Sequence, residues 1–434
     1  MHKRSLLSRI GPAFIVGACI IGPGSVTLMS KTGSLYGYSM LWLAVLSGAL
    51  MAGFIALFMR FGIYSDETFL GLTAKKIGRW FAVLCGISLF SVDATFQFGN
   101  ALGVTAGMAT LFERVPKIVW PVTFSLAAIV FLFGFRHIYR IIEKMMTFFL
   151  ALMFLAFLVN LVWAGPNLPA ALKGFFVPTI PKGVDWVTIG GLIGTTFVIV
   201  CAFFQSYLVK AKGWQEGDLA SGATDTVLAS LMFTLIGCVI MMTAAAALYP
   251  RTTVESPTAM AMQLEGVFGR YAKIVFCIGF WSAAFSSFVT NSLIGGVLLN
   301  DGLGLGGKLE SFPTKAFATL VLLIGMTTAI LIMRTEERAV GAAETPAARP
   351  AESEVKADLK VKAIAVAQAA TMLGVPLGTI AMVVVLFDKR ATRGRALPLW
   401  AKGFVLLGAV VLLGIAILMY VKIRPELAEI LGLG

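Results

Sequence analysis

Along most of this chain apolar residues run together for about twenty positions at a time, separated by short basic or Gly/Pro-containing stretches. Such runs cover about 10–33, 40–62, 81–111, 117–134, 141–164, 184–209, 226–249, 272–297, 315–333, 361–387 and 400–421. As a helix, each is long enough to cross a hydrocarbon core about 30 Å thick. In lipid the backbone polar groups must be satisfied within the segment, which selects helices. The pattern predicts an all-α membrane protein, with eleven transmembrane helices forming a single domain over 1–434. One stretch departs from it: 334–360, RTEERAVGAAETPAARPAESEVKADLK, rich in Ala, Glu and Pro, reads as a mobile external linker.

Two of the spans are interrupted. In the first, FIVGACII gives way to Gly22-Pro23-Gly24-Ser25 before VTLMS resumes. Proline removes a donor and collides with the preceding turn, and glycine has little helix preference, so this span should open near its middle. In the sixth, polar Gln205, Ser206 and Tyr207 follow FVIVCAFF. A packing kink explains either interruption alone. Their five-helix spacing favours functional unwinding in two inverted repeats, about 10–164 and 184–387, with an extra helix at about 400–421.

Composition agrees with a lipid solvent: 58% of residues are hydrophobic and 13% charged. The net charge of +13 is scattered over loops flanking the spans, which suits anionic lipid headgroups better than nucleic acid. Basic residues such as Lys75, Lys76, Arg79, Arg140 and Lys144 fall on one side if the N-terminus is cytoplasmic, which puts the C-terminus outside. The expected location is a bacterial inner membrane. The start, MHKRSLLSRI, lacks a cleavage site and reads as the cytoplasmic end of the first helix. All five cysteines lie inside spans at no metal-site spacing and read as small core residues. The segment GLGLGGK at 302–308 lacks the Ser or Thr of a P-loop and reads as a turn. With no nucleophile or paired carboxylates in reach of one another, neither an enzyme nor a cofactor is expected.

Several segments, in this order and spacing, resemble the Nramp family of proton-coupled divalent metal transporters. They are GPAFIVGACIIGPGSVTLMSKTG, SYLVKAKGWQEGDLASGATDTVLASLMFTLI, AMAMQLEGVFGRYAK, FWSAAFSSFVTNSLIGGVLLNDGL and AQAATMLGVPLGTIAMVVVLFDKR. The resemblance implies the LeuT-type fold, with broken helices one and six and alternating access. It also implies where ligands should sit. The family's first-helix signature Asp-Pro-Gly-Asn reads here Gly22, Pro23, Gly24 and Ser25, and its sixth-helix signature Met-Pro-His-Asn falls on Ala202, Phe203, Phe204 and Gln205. The carboxylate and the thioether are both absent, so selective manganese or iron transport is not expected, and no residue is assigned as a metal ligand. The family's third-helix Asp and Glu fall on Gln97 and Asn100, which do not titrate. Asp93, one turn away, is a substitute coupling group or a packing acid.

An opened helix offers free N–H groups at the positive end of its second half, a place suited to anions. Gly24, Ser25 and Thr27 are candidate donors there. Lys31 adds positive potential or snorkels to the surface. Gln205 and Ser206, with Gln368 and Thr371 of the tenth helix, are expected opposite. Ser287 and Asn291 serve either a site or interhelical hydrogen bonds. The expectation is a secondary transporter whose partners are membrane lipid, a small solute or ion and a coupling ion. A small anion or carboxylate such as bicarbonate would bind at the first break. A weakly selective inorganic cation carrier and a receptor that keeps the fold without transporting are the alternatives.

Overall fold

The computed structural model describes residues 11–112, 114–134, 138–250, 261, 265, 269–341, 371–389, 394 and 397–430. Regular structure among them is helical throughout. The first span is a bent pair, α1 (Pro12–Ile20) and α2 (Pro23–Tyr36), with 56° between the halves. Then come α3 (Leu41–Tyr64), the short α4 (Phe69–Lys76), α5 (Arg79–Leu111), α6 (Val119–Gly134), α7 (Ile138–Ala164) and the short α8 (Leu168–Phe176). The second half contains α9 (Trp186–Thr196), α10 (Ile199–Lys212), α11 (Leu219–Leu248), α12 (Arg270–Gly302), α13 (Phe312–Gly341), α14 (Val375–Phe387) and α15 (Leu399–Ile430). Counting the bent pair as one, nine spans among the described residues are long and apolar enough to cross a membrane, and Val119–Gly134 and Thr371–Phe387 are shorter apolar helices.

One boundary differs from expectation. Residues 334–341, read as the start of a linker, continue α13 as helix. Their Arg, Glu and Ala residues are good helix formers, and nothing in RTEERAVG breaks the preceding turn.

Helix α12 packs along α5, α7 and α13, while α11 packs along α2, α3 and α7. Glycines set the closeness of these contacts. Polar residues of α5 at helical spacing, Asp93, Gln97 and Asn100, seat against Gly295 of α12, Gly325 of α13 and Gly22 at the first break. A Cβ at Gly325 would lie 2.7 Å from Gln97 Cγ, so any larger residue would push the helices apart.

Polar clasps fasten both ends of the first span. Where α1 starts, Asp225 of α11 accepts the N–H groups of Gly11 (2.6 Å) and Ala13 (2.8 Å), two donors that a helix start leaves unpaired. Beside it Lys212 pairs with Glu143 at 2.5 Å. At the end of α12, Asp301 accepts from Tyr207 (2.5 Å), Thr68 (2.6 Å) and the Leu70 N–H (3.0 Å), tying α10 to α4. At the far end of α2, Lys31 lies 3.6 Å from Asp185, the N-cap of α9. Burial alone would raise the Asp185 carboxyl. The hydrogen bond from the Thr188 hydroxyl, the charge of Lys31 and the N–H groups of Thr188 and Val187 outweigh that and hold it below the usual carboxylate value.

Candidate functional site: two helix breaks in contact

At the first break Ile21 N–H still reaches the Gly17 carbonyl at 3.3 Å, ending α1. Gly22 N–H then turns back to the Ile20 carbonyl at 3.2 Å, and α2 begins at Pro23, whose missing donor costs nothing at a helix start. Ser25 stitches the break by donating its hydroxyl to the Ile20 carbonyl at 2.6 Å.

The second break lies elsewhere than the sequence suggested. Helix α9 ends at Thr196, Phe197 and Val198 are unwound, and the Ile199 N–H reaches back to the Phe197 carbonyl at 3.1 Å. Ala202, Phe203, Phe204 and Gln205, expected at the opening, instead sit inside the wound α10. The opening is one helical turn earlier. The β-branched residues Thr195, Thr196, Val198, Ile199 and Val200 lose side-chain freedom in a helix and weaken this turn, and the packing around it holds it open.

The two breaks touch. The hydroxyls of Ser25 and Thr195 are hydrogen-bonded, and Cys201 Sγ lies 3.2 Å from Cys19 Sγ. Cys19 in turn donates to Asn291 Oδ1 of α12 at 2.8 Å. The space a side chain at Gly22 would need is already filled. A Cβ there would meet Ser287 Oγ at 2.6 Å and Asn100 Oδ1 at 2.9 Å.

The expected residues separate accordingly. Gly22, Gly24, Ser25, Asn100 and Ser287 are at the first break, with Gln97 and Asp93 following along α5. Asp93, Gln97 and Gln205 are fully buried, and none of their side-chain oxygens or nitrogens has a hydrogen-bond partner among the described residues. Gln205 lies one turn past Cys201 on the same side of α10. Thr27 spends its hydroxyl on the Pro23 carbonyl at 2.8 Å. Ser206 donates to the Phe203 carbonyl at 2.7 Å, and its backbone packs on Gly62 of α3, away from the break. Lys31 is at the far end of α2 with Asp185. Thr371 is buried at the head of a 3-10 turn, Thr371–Gly374, beside α5, and Gln368 lies outside the described residues. Sequence reasoning missed Thr195, Cys19, Cys201 and Ser286. Only the position of Cys19, three residues before Gly22, hinted at any of them. Among the described residues no group of three or more His, Cys, Asp or Glu is arranged to hold a metal.

Comparisons with known proteins agree on the family. A family model described as natural resistance-associated macrophage protein-like, Nramp, matches residues 13–342. The divalent metal cation transporter MntH of Pectobacterium carotovorum is 26% identical over 306 residues, 68% of this chain and 73% of that protein. MntH of Klebsiella pneumoniae is 24% identical over 342 residues, 76% and 82% of the two chains. Among solved structures, a manganese transporter of Eremococcus coleocola superposes with a TM-score of 0.82 at 15% identity, covering 98% of this chain and 88% of that one. MhsT in complex with L-phenylalanine gives 0.53 at 13% identity over 95% and 98%.

Proposed function

The chain belongs to the natural resistance-associated macrophage protein-like (Nramp) family, and on that premise we propose that it carries a small anion or carboxylate, bound where its two helix breaks meet. It is an integral membrane transporter of LeuT-like fold rather than an enzyme. The substrate reading rests on one observation above all. Where the family signature has aspartate this chain has Gly22, and Ser287 and Asn100 fill the room a carboxylate would take. The positive end of α2 is then left without a fixed negative partner beside it. Its first-turn N–H groups at Gly24 and Ser25 are the donors for a bound carboxylate. The Asn100 amide, whose buried Nδ2 has no hydrogen-bond partner among the described residues, adds another.

Calorimetry on the purified protein tests this with bicarbonate and acetate against manganese. Saturable heat from a carboxylate or bicarbonate, with none from manganese, is the expected result. High-affinity manganese binding overturns it.

A second reading, a weakly selective cation carrier, is favoured by Asp93. Its carboxyl is fully buried, and neither of its oxygens has a hydrogen-bond partner among the described residues. Manganese or cadmium binding that disappears in Asp93→Asn would select this reading. In either case the site opens alternately to the two sides as the broken helices move against their neighbours. A bacterial inner membrane with the N-terminus cytoplasmic suits the basic loops.

A further inference from the structure

Helix α3 carries one charge in its 24 residues, Arg60, a single turn before its end at Tyr64. Arg60 is exposed and has neither a hydrogen bond nor an ion pair among the described residues. An arginine set among apolar side chains is costly unless its charge is met or its guanidinium reaches the headgroup layer. Behind Arg60 the same face of α3 is built from small residues, Ala56, Gly53 and Ala49, at helical spacing. Facing them are Trp400 and Phe404 of α15. Between the two helices Gly53, Ala56, Leu57, Arg60, Trp400 and Phe404 line a cavity of about 110 Å³. One wall is fixed by packing. A Cβ at Gly53 would lie 2.3 Å from the Phe404 ring, whose centre is 5.0 Å from that of Phe54, and Phe54 leans on Phe197 of the second break. Trp400, by contrast, is 67% exposed, as suits an indole at a membrane–water boundary. The trench is thus apolar along its length and cationic at one end.

We propose that this trench holds one anionic phospholipid, with its phosphate on Arg60 and the head of an acyl chain between α3 and α15. A guanidinium presents paired N–H donors that match two phosphate oxygens. The cavity has room for about four groups of water size, roughly 30 Å³ each, and so takes the first methylenes of a chain. The rest of the chain follows exposed Ala49 and Leu407 along the two helices. Charge selects an anionic lipid over a zwitterionic one, whose own ammonium would enter the same positive field. Lys402 stands in the first turn of α15, and Lys389, Arg390, Arg393 and Arg395 lead into that helix in the sequence. Asp388, the acid nearest to them in sequence, is paired with Lys76. Helix α15 lies outside the two repeats, and a lipid seated here joins it to α3.

The site is independent of what the protein carries. The test is native mass spectrometry of the delipidated full-length protein, with thermal unfolding beside it. The probes are phosphatidylglycerol, phosphatidylcholine with the same chains, and glycerol 1-phosphate. Phosphatidylglycerol is expected to bind saturably and to raise the unfolding temperature, with phosphatidylcholine about tenfold weaker and glycerol phosphate without effect. Arg60→Gln should weaken phosphatidylglycerol binding about tenfold or more, the size of a lost charge-assisted hydrogen bond. Ala56→Leu, which fills the trench and leaves the charge alone, should weaken it too. Lys422→Gln removes an exposed charge near the other end of α15 and should leave binding unchanged. Equal binding of the two lipids overturns the site, as does glycerol phosphate binding as tightly as the lipid. Undiminished binding in either trench variant, or a loss in Lys422→Gln equal to that in Arg60→Gln, overturns it as well.

Discussion

The two breaks do the same job with different means. The first is opened by Pro23 between two glycines and bends its span by 56°. The second contains neither proline nor glycine at its unwound residues, Phe197 and Val198, and Trp186–Lys212 still passes as one apolar span. Each contains a hydrogen bond reaching two residues back, Gly22 to Ile20 and Ile199 to Phe197. The first opening is thus imposed by local chemistry. The second is held by its surroundings: Phe197 is fully buried against Phe54, ring centres 5.7 Å apart, and Thr195 is bonded to Ser25.

Substitutions at the two places should separate these causes. Pro23→Ala removes the cause of the first opening. A proline inside a helix costs about 3 kcal/mol, so the rewound form gains about that much and transport should fall about 100-fold. Uptake measured beside thermal unfolding checks it, since the variant should unfold no earlier than wild type. At the second break a proline scan locates the opening: Ala202→Pro, in the wound α10, should cost about 3 kcal/mol or more, and Val198→Pro under about 1 kcal/mol. Equal costs would place the unwound residues wrongly. Gly22→Asp should overpack against Ser287 by about 1–3 kcal/mol, and Ser287→Gly in the same chain should relieve most of it. Thr195→Ala should cost about 0.5–1.5 kcal/mol in unfolding, the size of one hydrogen bond.

The smallest effect concerns the clasp joining the two broken spans at the far end of α2. Because the Asp185 carboxyl is held below its unfolded value, its contribution is complete above about pH 4 and is lost as pH falls through the lower folded value. The stability gap between wild type and Asp185→Asn should therefore be flat from about pH 7 to 5 and close only below about pH 4. A gap that closed near neutrality would assign it to another group.

This contrast also explains what the sequence could tell. The first break and most of the spans were legible because proline chemistry and apolar runs are local, whereas Gln97 and Asn100, with Asp93 one turn away, were pointed to by the family resemblance. The second break was placed four residues too late at Ala202 and seven at Gln205, because polar Gln205 and Ser206 drew attention, whereas the opening carries only bulky apolar residues held from outside. The contact between Cys19 and Cys201, 182 residues apart in sequence, is set by how the two halves pack, which composition does not encode. Ser286 was missed for a related reason: serines are common in membrane helices, and its significance depends on which carbonyl it faces.

The oxygens of Ala18 and Cys19, met by the hydroxyls of Ser286 and Ser287 where helical donors run out, have a peculiar inheritance. They belong to the main chain, so every amino acid at those positions would supply the same atoms, and replacing either side chain leaves them intact. What withholds their partners is a single imino ring four residues after Cys19. Packing limits which side chains fit there, since Ala18 is fully buried and Cys19 donates to Asn291, while the two main-chain acceptors stay on offer for as long as the ring is kept.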